Sequence, residues 1–143
     1  MKILFFPFAD FKIGGPRIRV GNIHNELVRK GYNSEVFIPK NKVHYFTRYF
    51  NILKGDVLHF QKTVDPITIF VMFIAKLLKK KNIIDLDMDI YNMSSYTFDV
   101  NPLTKIKIKI IEKSAKIASK LADILIVDNH KLMNISKKYN KNV

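Results

Sequence analysis

Residues 2–39, KILFFPFADFKIGGPRIRVGNIHNELVRKGYNSEVFIP, decide the fold. They begin with residues 2–8, KILFFPF, a short unbroken apolar run of the kind that fills a strand buried on both faces of a parallel sheet. A turn-rich stretch, residues 9–16, comes next. Over residues 17–30 the apolar side chains Val20, Ile23, Leu27 and Val28 recur at helical spacing, and Gly31 stands where a left-handed cap closes a helix. Residues 34–39, SEVFIP, read as a second strand. Strand, loop, helix and strand within about forty residues make one βαβ unit.

The alternation continues outward. Residues 41–53 are aromatic and suit a short helix before a turn at Lys54-Gly55, and residues 56–61, DVLHFQ, form a third strand. Pro66 opens a helix that runs to residue 78, apolar nearly all round and therefore expected to be buried, closing on Lys79, Lys80 and Lys81. Residues 82–87, NIIDLD, are the fourth strand, residues 88–102 a long polar loop, and residues 105–121 a long helix. Residues 123–127, DILIV, are the fifth strand, with a last helix over residues 130–139. This order predicts an α/β fold, a Rossmann-like parallel sheet with helices on both faces and right-handed crossovers. No repeat, low-complexity tract or Gly/Ser linker divides residues 1–143, so one domain is expected.

Composition narrows the classes further. A chain of 143 residues with 48% apolar side chains, five Gly and five Pro builds one globular core, which excludes a disordered tail or a fibrous repeat. Without cysteine there is no disulfide scaffold, thiolate zinc site or cysteine nucleophile, and a reducing, cytoplasmic setting is expected. The longest apolar stretch, residues 67–75, is less than half of the ~20 residues that cross a bilayer as a helix. The formal net charge is +13, yet only four of the 25 basic residues are arginines: Arg17, Arg19, Arg29 and Arg48. Base and phosphate readers rely on the arginine fork, so this lysine-dominated surface signals mere compositional drift or diffuse attraction to anions, with a membrane or anionic ligand ranked ahead of nucleic acid.

Three groups of residues could carry chemistry. Gly14 and Gly15 sit between the first strand and the first helix, at the edge of the sheet where ligands bind. There glycines admit close backbone approach, and Arg17 or Arg19 could complete an anion site. A plain turn with solvated arginines is the simpler alternative. Asp85, Asp87 and Asp89 alternate, so a continuing strand would put all three on one side, at the strand exit, facing solvent, a cation or a hydroxyl whose proton a carboxylate could take; Asp89, and Asp87 with it, could equally cap the following loop. His59 and Lys62 stand near the exit of the third strand and could line the same cleft, or simply be satisfied polar groups at a strand end. His24, His44, His59 and His130 show no metal-ligand spacing, so no metal is expected, and no G-x-S-x-G elbow supports a hydrolase. On the long helix, Lys105, Lys109, Lys113, Lys116 and Lys120 align on one face with Ile106, Ile110, Ile117 and Leu121 on the other, a pattern that could rest on anionic headgroups or simply be a solvated face.

Four segments together resemble the amino-terminal domain of retaining glycosyltransferases of the GT-B fold, the group 1 or family 4 type. They are KILFFPF with the Gly14-Gly15 loop and the helix ending NELVRKGY; DVLHFQK at residues 56–62; NIIDLD at residues 82–87; and ADILIV at residues 122–127. The likeness runs over nearly the whole chain in the same order.

The resemblance implies the acceptor-side half of a two-domain enzyme, with the donor-binding carboxyl-terminal domain absent. It would transfer a sugar from a nucleotide-diphosphate-sugar co-substrate to an acceptor glycan or lipid, with retained configuration and no cofactor. Gly14 and Gly15 would then approach the donor diphosphate or the transferred sugar, and Arg17 or Arg19 would help with phosphate. Asp85 and Asp87 occupy the region where many members carry a histidine near the reacting sugar. Alone, such a half would be catalytically incomplete. A GT-A enzyme, with Asp85 and Asp87 as a metal and diphosphate clamp, is the runner-up among enzymes. The reading from a different class is a non-enzymatic module held to an anionic membrane, or to a partner protein, by its lysine face.

Overall fold

The computed structural model describes residues 1–95 and 100–143; residues 96–99, within the predicted polar loop, lie outside the described residues. Among the described residues, five parallel strands form one sheet: β1 (Lys2–Phe6), β2 (Asn33–Val36), β3 (Val57–Gln61), β4 (Lys81–Leu86) and β5 (Ile124–Val127), in the order β2-β1-β3-β4-β5. The chain runs from β1 outward to β2, then returns past β1 to β3 and continues the other way. The order therefore reverses between β1 and β3, and loops leaving those two strands diverge to leave a crevice at their carboxyl ends.

After β1 comes one continuous helical stretch: α1 (Gly14–Pro16), a π-helical segment (Arg17–Asn22) and α2 (Ile23–Arg29). The sequence reading put Gly14 and Gly15 in a loop, but they form the first turn of this helix, with Ile13 extended before them. Gly31 closes it as expected, at φ 80°, with its N–H on the Val28 carbonyl and that of Tyr32 on Leu27. The aromatic segment is α3 (Lys42–Thr47) followed by a 3-10 helix (Arg48–Lys54). Then come α4 (Pro66–Leu77), 3-10 turns over Ile90–Ser95 kinked at Asn92, α5 (Pro102–Leu121) and α6 (His130–Ser136). Asn41, Asp65, Asn101 and Asn129 start α3 to α6 by accepting backbone N–H bonds, the usual N-cap chemistry. After α6 the chain turns back, with Asn140 donating to the carbonyls of Ser119 and Ala122 and the Asn142 carbonyl accepting from the Leu125 N–H on β5.

The two faces of the sheet differ. Leu4, Phe6, Leu58, Phe60, Ile84, Leu86 and Leu125 alternate onto one face and form the core with Met72, Ala75, Ala115 and Ala118 from α4 and α5. The opposite face, under the helix that follows β1, carries Phe5, His59, Gln61 and Asp85. Register partners in a parallel sheet share a face, so Ile126 beside Asp85 and Ile124 beside Ile83 belong to this side too, and both are exposed. The helix after β1 covers the centre of that face and leaves the β5 margin open.

Two expectations about helix faces are corrected. α4 is not buried all round: Thr68, Val71, Met72 and Ala75 face the sheet while Phe70, Phe73 and Leu77 are exposed. On α5 the buried side is not Ile106, Ile110 and Ile117, which are exposed, but Ile108, Ser114, Ala115, Ala118 and Ser119. Small side chains let α5 approach the sheet and α4 closely, so the isoleucines are displaced outward. The residues predicted as a long polar loop also contribute buried groups, Ile90 and Tyr91, with the Tyr91 hydroxyl paired to Ser119.

Candidate functional site

At the carboxyl end of β3 the chain bends sharply: Lys62 takes the left-handed conformation at φ 55° while its N–H stays on the Asp85 carbonyl at 2.9 Å. A non-glycine residue held there is strained by roughly 1 kcal/mol or more, a feature that concentrates at functional sites. The bend carries the Lys62 Nζ to 3.1 Å from Asp87 Oδ1 and to 5.2 Å from the centre of the Phe8 ring. Gly15 closes the group from above. A methyl at Gly15 would stand 3.6 Å from Gln61 Nε2, 3.8 Å from Asp87 Oδ2 and 3.9 Å from Phe8 Cε1, so the missing side chain leaves open space between Gln61 and Asp87.

Phe8 is also a wall of a crevice of about 290 Å³ lined further by Tyr45, Lys62, Thr63, Asp65, Met88 and Ile90. A second hollow of about 300 Å³ continues past Phe8 and Tyr45 to Pro39, Lys40, Lys42 and Phe46. Three polar atoms beside this crevice are buried without a hydrogen-bond partner: both atoms of the Gln61 amide and the Thr63 hydroxyl. Buried groups of this kind are nearly always satisfied, and each one left alone costs about 1–3 kcal/mol.

On the sheet face under the helix that follows β1 lies a buried charge cluster. Arg19 Nε is 2.9 Å from each carboxylate oxygen of Asp85, and its Nη2 donates to Oδ1 as well. Asp85 is almost wholly enclosed, and His59 Nε2 lies 4.0 Å from its Oδ2. Burial lowers the His59 pKa to about 4; the nearby Asp85 carboxylate opposes that shift and Arg19 adds to it. The imidazole is neutral at pH 7.

A further anchor was invisible in the sequence. Arg48, wholly buried, donates Nη1 to the Pro7 carbonyl at 2.6 Å and the Phe37 carbonyl at 3.2 Å, fastening the ends of β1 and β2. Its guanidinium lies over Tyr45, 4.4 Å from the ring centre, and its Nη2 donates to the Tyr49 hydroxyl. From Tyr49 the contacts pass through Thr68 to Asp65, which also accepts from the Tyr45 hydroxyl at 2.5 Å. Burial raises the Tyr45 pKa well above the ordinary tyrosine value, with the Asp65 bond adding to it, so that hydroxyl stays a donor.

The expected residues thus separate. Gly15, Lys62 and Asp87 come together. Gly14 begins the helix beside them, where an added methyl would meet open space, and Arg17 stands exposed one turn further on. Arg19 and Asp85 are engaged with each other under the helix that follows β1, and His59 is enclosed with them instead of lining the crevice. The three aspartates are not side by side: β4 ends at Leu86, Asp85 is buried, and Asp89 accepts from the Tyr91 N–H and the Asn92 amide, capping the loop. Gln61, Thr63, Tyr45, Asp65 and Arg48 are the residues that sequence reasoning missed. The pair Asp65-Pro66 is a legible helix start, whereas the role of Gln61 depends on its register opposite Asp85. On α5, Lys105, Lys109, Lys113 and Lys120 are exposed and Lys116 half-buried.

No protein-family model matches this chain, and comparison with curated proteins gives no match. The fold class shown is a Rossmann-like α/β fold with a five-stranded all-parallel sheet flanked by helices.

Proposed function

We propose that this chain is the acceptor-side domain of a GT-B glycosyltransferase, contributing one wall of the cleft in which a sugar passes from a nucleoside diphosphate to an acceptor hydroxyl. The observation that carries the reading is the set of unpartnered buried polar atoms, Gln61 Nε2 and Oε1 with Thr63 Oγ1, beside the Lys62–Asp87 ion pair where the strand order reverses. Sugar hydroxyls both donate and accept, which matches a free amide, and a lysine suits a phosphate as a point charge.

In this reading the space left by the missing side chain of Gly15 admits the donor, and Lys62 and Arg17 supply cationic support for the diphosphate. Arg19 acts through Asp85, holding the helix in place. Transfer breaks the bond between the anomeric carbon and the diphosphate oxygen and forms one to the acceptor oxygen; the acceptor's proton passes to a carboxylate or to the departing diphosphate. Asp87, paired with Lys62 beside the crevice and with Oδ2 toward Gly15, is the carboxylate assigned to the proton, because Asp65 in the crevice wall already accepts from the Tyr45 hydroxyl. Stabilising the leaving diphosphate and aligning two substrates need a facing donor-binding domain, so the chain by itself binds without turning over.

Calorimetry and a turnover assay on the 143-residue chain test this. Measurable binding of nucleoside diphosphate sugars, weaker for the free nucleosides and without sugar release, is the expected result. Robust turnover by this chain alone would reject the half-enzyme reading, and failure to bind any nucleoside diphosphate sugar would reject the site.

A further inference from the structure

The outer side of the helical layer over the apolar sheet face is itself apolar. Phe50 and Leu53 on the 3-10 helix Arg48–Lys54 are 79% and 69% exposed, and Phe70 and Leu77 on α4 are 64% and 65% exposed. A groove of about 250 Å³ runs between these two elements, with Phe46, Phe50, Ile67 and Phe70 among its walls. α4 and α5 lie side by side, joined by the Lys76 Nζ on the Leu121 carbonyl at 3.4 Å. The exposed Ile106, Ile110 and Ile117 share one stripe of α5, between its buried side and its lysines, so they extend the same surface. Soluble surfaces seldom carry contiguous apolar area of this extent without a use for it.

The charge around this surface is predominantly positive. Lys54 and Lys79 stand at the 3-10 helix and α4 end, and Lys109, Lys113 and Lys120 along α5. Residues 41–55 and 66–81 contain no Asp or Glu. On α5 the single acid, Glu112, accepts from the Ser94 N–H at 2.6 Å; burial opposes its charge, but this bond and the nearby Lys116 and Lys109 lower its pKa, and it is outnumbered by the lysines of that helix. A second copy of the chain pairing through this face would set the two lysine margins against each other. A bilayer with anionic headgroups satisfies both features at once: phenylalanines and leucines enter the acyl boundary while lysines at the margin meet the headgroups. No helix among the described residues is long and apolar enough to cross a membrane, so the contact is with the surface.

We infer that the face built by the 3-10 helix Arg48–Lys54, α4 and α5 docks on the surface of an anionic phospholipid bilayer, with Phe50, Phe70 and Leu77 inserted. This does not depend on the glycosyltransferase reading. It does bear on it, because Phe46 walls both the apolar groove and the hollow that leads to the crevice, so the crevice opens at the margin of the membrane-facing surface.

The chain contains no tryptophan, so a single introduced one reports its own surroundings. Phe70→Trp keeps a large ring on the docking face; Tyr32→Trp, exposed beyond the helix that follows β1, is the control. With vesicles of phosphatidylcholine and 30% phosphatidylglycerol, Phe70→Trp emission should shift to the blue and be quenched by brominated acyl chains, while Tyr32→Trp should do neither. Phosphatidylcholine alone should give little effect. In a flotation assay, Phe50→Ser/Phe70→Ser and Lys113→Glu/Lys120→Glu should each weaken association with the anionic vesicles by roughly tenfold or more. All five substituted positions are exposed, and unchanged circular dichroism shows that the variants fold. Unaltered Phe70→Trp emission on anionic vesicles, equal shifts at both tryptophans, flotation insensitive to both double variants, or a solution dimer that Phe70→Ser dissolves would overturn the proposal.

Discussion

Arg19 and Asp85, 66 residues apart in sequence, are bound side to side, with Arg19 Nε 2.9 Å from both carboxylate oxygens. The pair ties the π-helical segment after β1 to β4 on the sheet face opposite the α4 and α5 core. Because Asp85 is buried, removing either partner leaves the other uncompensated, and Asp85→Asn or Arg19→Gln should each lower stability by about 3 kcal/mol. A double-mutant cycle by urea unfolding should give a coupling of about 2 kcal/mol, and additive single effects would show that the contact contributes nothing.

His59 supplies a pH dependence. Its folded pKa of about 4 lies below the ordinary 6.5, so the folded state resists protonation that the unfolded chain accepts. Stability from this group is complete above about pH 6.5, falls as pH drops toward 4, and is lost by roughly 3 kcal/mol below that. Urea midpoints between pH 7.5 and 4.5 should fall more steeply for the wild type than for His59→Phe, whose apolar ring suits a site with no hydrogen-bond partner for either imidazole nitrogen. Parallel profiles would contradict this assignment.

Gly15→Ala separates stability from binding. The added methyl clears every neighbour by at least 3.6 Å and sits in the first helical turn, so folding should be unharmed or improved by up to about 1 kcal/mol. The same methyl fills the space between Gln61 and Asp87, and affinity for a nucleoside diphosphate sugar should fall at least severalfold. A variant that melts earlier, or binds as tightly as wild type, would argue against an open ligand space at this position.

Gly55 behaves in the opposite way. A methyl there would lie 2.5 Å from Leu4 Cγ and 2.7 Å from Leu4 Cδ1, inside the core at the start of β3. Gly55→Ala should cost about 1–3 kcal/mol through forced repacking, read as a lower thermal midpoint.

The strand-helix alternation was legible because apolar runs of strand length, the caps at Gly31 and Pro66, and the lysine-ended helices are local signals. The Gly14-Gly15 turn was misread because nothing local says that a helix starts before Pro16. Burial on α4 and α5 was misread because hydrophobicity does not tell which apolar face a helix presents: Ala115 and Ala118 fit the close approach to the sheet, so the larger isoleucines lie outside. The site was half legible. Lys62 and Asp87 follow from their positions at strand ends and Gly15 from its place between β1 and the helix, but Arg19 against Asp85, and Gln61 beside Gly15, depend on registers and helix rotation that only the assembled sheet fixes. Arg48 gave no signal, since a buried arginine anchored on the Pro7 and Phe37 carbonyls has no motif.

Amide shift mapping by nuclear magnetic resonance tests the ligand site most directly. Titrating the chain with nucleoside diphosphate sugars should perturb the backbone amides of Gly14, Gly15, Lys62 and Thr63 and the side-chain amide of Gln61, with the Gln61 signals lost or sharply moved at saturation. Shifts confined to other parts of the molecule, or an unmoved Gln61 amide in a saturated complex, would show that these buried polar atoms do not await a sugar.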